Sequence, residues 1–149
     1  MNSASTWPLR TVALAAEMKP RALRQWFSTK VLRLRGNDRK SSGPGDHVGL
    51  SRQRAYQAAI TQALNRRGVS VSRAALAASE FSDRGNVGRI QGELYEHGKT
   101  VLVADAHGTT VKNCFFDTTL SDVSNSACVI IVDINKVVAH VDDVLSKAT

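Results

Sequence analysis

Proline at position 20 cuts the first apolar stretch of the chain in two, because its ring locks φ and pushes the preceding Lys19 out of helical geometry. Upstream, Leu9, Val12, Ala13 and Ala16 recur at the spacing one buried helical stripe requires. Thr6 is the expected cap of that helix, with Pro8 in its first turn. Downstream, a helix from Pro20 to about Thr29 places Leu23, Trp26 and Phe27 on one side and turns Arg21, Arg24 and Gln25 elsewhere. Met18 and Lys19 are left as a tight turn. Two short helices so joined predict a helix-turn-helix, with Ala13 at the crossing, Met18 plugging the turn, and Leu23 and Trp26 as anchors.

The next segment reads as a wing. Val31, Leu32 and Leu34 precede a polar run rich in glycine and serine from Arg35 to Asp46, and His47 to Leu50 follows it, so a β-hairpin with a basic tip is expected. Ser51 then caps a helix running to about Arg67, with Tyr56, Ala59, Ile60, Ala63 and Leu64 inward and Gly68 ending it. Ser70 caps a shorter helix from Val71 to about Ser79.

Charge separates the chain into unlike halves. Residues 1–78 hold 14 Lys and Arg against 3 Asp and Glu, whereas residues 79–149 hold 6 against 10. A basic module of that size concentrates polyanions and releases counterions from phosphates, which makes nucleic acid the first partner to expect, and with the helix-turn-helix scaffold double-stranded DNA. Lys30, Arg33, Arg39, Lys40, Arg52 and Arg54 are the expected contacts to the DNA backbone or an adjacent minor groove, the last two because exposed amides at a helix start already favour an anion.

The back half predicts a small α+β module. Lys99 to Ala104 reads as a strand, His107 and Gly108 as a turn, and Thr109 to Phe116 as a second strand. Thr118 to Ala127 is a crossover or short helix. Cys128 to Asp133 is apolar on both faces and so expected at the centre of the sheet, and Asn135 is the expected cap of a closing helix that buries Val137, Val138, Val141, Val144 and Leu145. A sheet of so few strands leaves an edge exposed, and a homodimer is the expected remedy. A sheet and one helix also leave room for a small-molecule effector.

Other classes lose support. Met1 to Thr6 and Gly36 to Gly49 are the only stretches poor enough in apolar residues to be expected loose. No apolar run reaches the length of a membrane span, the N-terminus lacks a signal-peptide pattern, and a cytoplasmic location is expected. Cys114 and Cys128 sit in apolar surroundings and are expected as buried free thiols, with no metal and no cofactor. Asp105 with His107, and Asp133 after its strand, lack the nucleophile, base and orienting group of an active site, so no enzyme is expected.

With Pro20, Arg21, Ala22, Leu23 and Arg24, the aromatic pair Trp26 and Phe27, and the join Arg66, Arg67, Gly68, Val69 and Ser70 in place, the front half resembles the winged helix-turn-helix domain of MerR-like transcriptional regulators. Glu17 stands where that family's turn usually carries glycine. The resemblance implies that Arg21, Arg24 and Gln25 read bases in the major groove. The expected organisation is a winged helix-turn-helix DNA-binding domain over 6–80, a connector over 81–98, and an α+β dimerisation or effector module over 99–149. The expected function is sequence-specific duplex DNA binding in transcription regulation. An excisionase-like or architectural DNA-binding factor and a basic protein-interaction module are the alternatives.

Overall fold

The computed structural model describes residues 5–148; of the loose start expected over Met1 to Thr6, residues 1–4 lie outside them and Thr6 is in a strand. Six helices and two small antiparallel sheets make an α+β fold among the described residues. None of those helices is long and apolar enough to cross a membrane.

Thr6 does not cap a helix. Thr6–Pro8 is instead a short strand, β1, paired antiparallel with β2, Gly49–Ser51, in the register Thr6 to Ser51, Trp7 to Leu50 and Pro8 to Gly49. The pairing lays the Thr6 side chain over Gly49, so that a Cβ there would lie 2.8 Å from Thr6 Cβ and 3.2 Å from Arg39 Cβ, which is why glycine suits the position. α1, Leu9–Ala15, starts directly from this strand, and α2, Pro20–Ser28, follows the turn.

The turn closes with the chain in the left-handed region at Glu17, φ 56°, where Met18 N–H reaches Ala13 O at 2.9 Å and Glu17 N–H reaches Leu14 O at 3.1 Å. That paired bond pattern is a Schellman end, normally the place of a glycine. Arg66 holds the non-glycine residue there, donating to the Glu17 carbonyl at 2.7 Å and to its carboxylate at 3.2 Å. α2 ends the same way on Lys30, φ 65°, with Val31 N–H on Trp26 O.

α3, Arg52–Asn65, and α4, Val71–Ser82, each start on the expected serine, Ser51 accepting from Arg54 N–H and Ser70 from Arg73 N–H. Gly68, φ 92°, ends the first of them as expected. α4 runs three residues past the expected end because Phe81 is fully buried and keeps its last turn on the core.

In the back half, β3, Lys99–Asp105, lies between β4, Gly108–Cys114, and β5, Ile130–Asp133. The strand expected at the centre is therefore an edge, and β3 takes the middle. Leu102 faces the main core while Val101 and Val103 form a second cluster with Val123 of α5, Leu120–Val123, so β3 is covered on both faces. Ile131 on β5 stays 45% exposed. The closing helix α6, Ile134–Lys147, is capped by Asp133 and not by Asn135, whose side-chain oxygen instead accepts from Thr100 N–H at 2.7 Å. Cys114 is half-buried and Cys128 exposed, so neither is the fully buried thiol expected.

One apolar core joins the two halves. Trp7, Val12, Leu23, Ile60 and Phe81 belong to the same buried cluster as Leu102, Ile134, Val141 and Leu145, and α6 packs on α1, α3 and β3. The seam is polar at its rim. Trp7 Nε1 donates to Leu145 O at 3.2 Å, and Asp142 accepts from Tyr56 Oη at 2.6 Å and Arg52 Nη1 at 2.5 Å.

Candidate nucleic-acid interface

α2 is amphipathic by position. Leu23 is fully buried and Trp26 nearly so, and burying a leucine side chain stabilises by about 1.5–3 kcal/mol, enough to fix which way the helix faces. Arg21, Arg24 and Gln25 consequently stand together on its exposed side. Neither arginine forms an ion pair among the described residues, whereas Arg35, Arg39, Arg52, Arg54 and Arg66 are each matched to a carboxylate.

The segment after α2 does not form the expected hairpin. Residues 31–34 pair with no strand, because the strand at 49–51 is taken by β1. The loop closes instead through an isolated bridge, Arg39 N–H to Gly49 O at 2.7 Å and Gly49 N–H to Arg39 O at 2.8 Å. Inside it, the Arg39 guanidinium binds Asp46 at 3.0 Å through both carboxylate oxygens and His47 O at 2.6 Å. Ser42 N–H and Oγ each reach Asp46 Oδ2 at 2.9 Å. Backbone and side chain of Ser42, then Arg39, hold the Asp46 carboxyl down at about 2. Arg39 therefore shapes the loop that carries Lys40, and its guanidinium is not a free phosphate contact. Lys30, Arg33 and Lys40 are exposed and outside any ion pair among the described residues.

Arg54 is a correction to the expected contact set. Its side chain is 2% exposed and serves the interior, with Nη1 donating to Asp83 Oδ2 at 3.1 Å and Nη2 to Asp83 Oδ1. Gln57 Oε1 accepts from Nη1 as well. Asp38, whose side chain is fully buried, lies 3.1 Å from Arg54 Nε, an ion pair without hydrogen-bond alignment. The same carboxylate accepts from Ser51 N–H and Arg35 N–H, both at 2.7 Å, and so pins the basic loop to the start of α3. Arg52, two residues earlier, points to the seam, stacked 5.2 Å over the Trp7 ring and paired with Asp142.

Sequence reasoning missed Asp38, Asp46 and Arg89. The two aspartates sit in a run that reads as a flexible tip, yet each gathers backbone donors that a disordered loop would leave to water. Arg89 is buried, and its guanidinium donates to carbonyl oxygens of Glu80, Phe81, Arg84, Ile90 and Glu93 while lying 5.1 Å over the Phe81 ring. A buried cation at the carbonyl end of α4 favours the helix dipole and locks the connector. The glycine punctuation around it was the only sequence signal.

In the back half, Asp105 is a turn residue. It accepts from His107 N–H at 2.8 Å and from Ser124 Oγ at 2.5 Å. Asp133 is the cap of α6 and pairs with Lys99 at 2.8 Å. No group of three or more metal-ligating side chains occurs among the described residues. No protein-family model matches the chain, and no curated protein does.

Proposed function

We propose that the chain is a sequence-specific double-stranded DNA-binding protein, a transcriptional regulator of the MerR-like type, whose front half acts as a winged helix-turn-helix. The observation that carries this reading is the outward face of α2, where Arg21, Arg24 and Gln25 project from a helix whose opposite side is fixed by Leu23 and Trp26. Arginine and glutamine are the side chains that bond guanine and adenine edges in pairs. Beside them the Arg39-framed loop acts as the wing, and Lys30, Arg33 and Lys40 supply phosphate contacts. Homodimerisation through the back half is part of the proposal, supported by the exposed Ile131 on the β5 edge, and it would set two recognition helices at half-site spacing.

Selection of bound sequences from random duplexes tests it. The expected result is one enriched, two-fold symmetric motif, with log affinity falling by about 0.9 per neutralised phosphate for each log unit of salt. A flat salt dependence, or a pool that does not enrich, would overturn the proposal.

A further inference from the structure

A groove of ≈760 Å³ runs between the end of α2 and the Arg39-framed loop. It is about twice the size of the ≈380 Å³ cleft on the other side of residues 30–35. Its floor is apolar. Phe27, Leu34 and Val48 pack against the main core on one side and remain open to the groove on the other. Its rim is cationic, with Arg24, Lys30, Arg33 and Lys40 set against a single carboxylate, Asp46, which is already occupied by Arg39 and Ser42.

A phosphodiester backbone would satisfy that rim and leave the floor uncovered, because phosphates and sugars remain hydrated and match no apolar surface. A neutral apolar molecule would satisfy the floor and waste the rim. A small molecule with an aromatic or acyl body and an anionic head matches both, and the volume lies inside the roughly 300–1,000 Å³ of ordinary small-ligand sites. The shape is held from both sides. The Schellman end at Lys30 fixes one wall, and the Arg39 to Gly49 bridge fixes the other.

We infer that this groove binds a small amphipathic anion, its apolar body on Phe27, Leu34 and Val48 and its carboxylate or sulfonate against Arg33 and Lys40. This places the effector in the front half, apart from the polar ≈290 Å³ cavity at Asp105 and Ser124 of the back half. Binding of the anion stands without the DNA proposal. Only its consequence, displacement of a duplex that uses the same four cations, rests on that reading.

The test titrates the full chain with the fluorescent probe 8-anilinonaphthalene-1-sulfonate and, separately, with its uncharged relative N-phenyl-1-naphthylamine. One saturable sulfonate site per chain is expected. The double variant Arg33→Ala, Lys40→Ala should weaken the sulfonate about tenfold and the neutral probe much less, since charge-assisted contacts are lost while the floor remains. Val48→Trp, which fills the groove, should abolish both while cooperative unfolding persists, and Arg66→Ala, a cation outside the groove, should change neither. Amide shifts on adding the sulfonate should fall in 24–34 and 40–48. Absence of a saturable site, equal binding to the double variant, or shifts confined to 99–133 would overturn the inference. So would a self-associated chain that the probe dissociates, because a second copy would then be the occupant. Displacement of duplex DNA is read separately, so loss of DNA binding leaves the probe result standing.

Discussion

Arg54 and Asp83 form a bidentate ion pair beneath the basic loop, with Nη1 to Oδ2 at 3.1 Å and side chains 2% and 13% exposed. Asp38 lies on the guanidinium's other side, so one cation ties the loop, the start of α3 and the end of α4 together. Removing one member of a buried pair leaves an uncompensated charge, which costs about 3–5 kcal/mol. We predict that Arg54→Ala, which strands both Asp38 and Asp83, lowers unfolding free energy by about that amount in urea titration, and that Asp83→Ala costs less because Asp38 still faces the guanidinium. Arg52→Ala, at the more exposed seam pair, should cost about 1 kcal/mol or less. Equal effects at the two arginines would refute the division of roles.

That division shows what the sequence could and could not convey. Helix starts at Ser51 and Ser70 and the Pro20 turn depend on residues a few positions apart, so local chemistry settles them. The inward stripe expected for α3 holds at Tyr56, Ile60 and Leu64 but not at Ala59 and Ala63, because α4 and α6 also bury Arg54, Ala55, Gln57, Ala58 and Thr61. Arg52 and Arg54 share the same local signal, and their fates differ only because Asp142 and Asp83 are brought close by folding. β1 was hidden for the same reason, since three residues become a strand only where β2 reaches them. Cys128 to Asp133 reads as central by its apolar content, yet order in a sheet is decided by which neighbours cover it. The exposed face of α2 was legible because Leu23 and Trp26 declare the opposite face. The groove beside it was not, as its walls come from three separate segments.

On α2, Arg21→Ala and Arg24→Ala are expected to leave stability within about 0.5 kcal/mol, because both side chains are exposed and unpaired among the described residues. Each should cost about 1–3 kcal/mol of affinity for the selected duplex and relax the preference at one base position. Lys40→Ala should weaken all duplexes alike and reduce the salt slope by about 0.9. Competition binding against single-base variants separates the two patterns, and uniform loss in the α2 variants would remove them from base readout.

Asp46 gives the basic loop a defined acid limit. The bonds from Ser42 and Arg39 favour the carboxylate, so its folded value of about 2 lies below the ordinary 3.8. A depressed acid contributes order in full above the unfolded value and loses it as pH falls through the folded one. The loop frame should therefore persist at pH 4 and release only toward about pH 2. Carbon-detected titration of the Asp46 carboxyl measures the midpoint directly, and Ser42→Ala should move it upward. A midpoint near 3.8 in the intact chain would mean that the loop is not closed in this way.

Tyr56 and Asp142 report on the seam between the halves. Burial first, and then the 2.6 Å bond to the Asp142 carboxylate, pushes the Tyr56 phenol well above its ordinary 10.0. A raised tyrosine contributes stability that is complete below pH 10.0 and is lost as pH climbs beyond it, because only the unfolded chain then ionises readily. Alkaline absorbance titration should show one phenol that resists ionisation until the fold gives way. Asp142→Ala removes the acceptor but not the burial, so the Tyr56 midpoint should fall only part of the way back. The accompanying loss of stability should be about 1 kcal/mol, at the low end for a deprived buried donor, because the Asp142 side chain is 41% exposed and water can enter its place. If Tyr56 titrates normally in the intact chain, α6 does not rest on α3 as described.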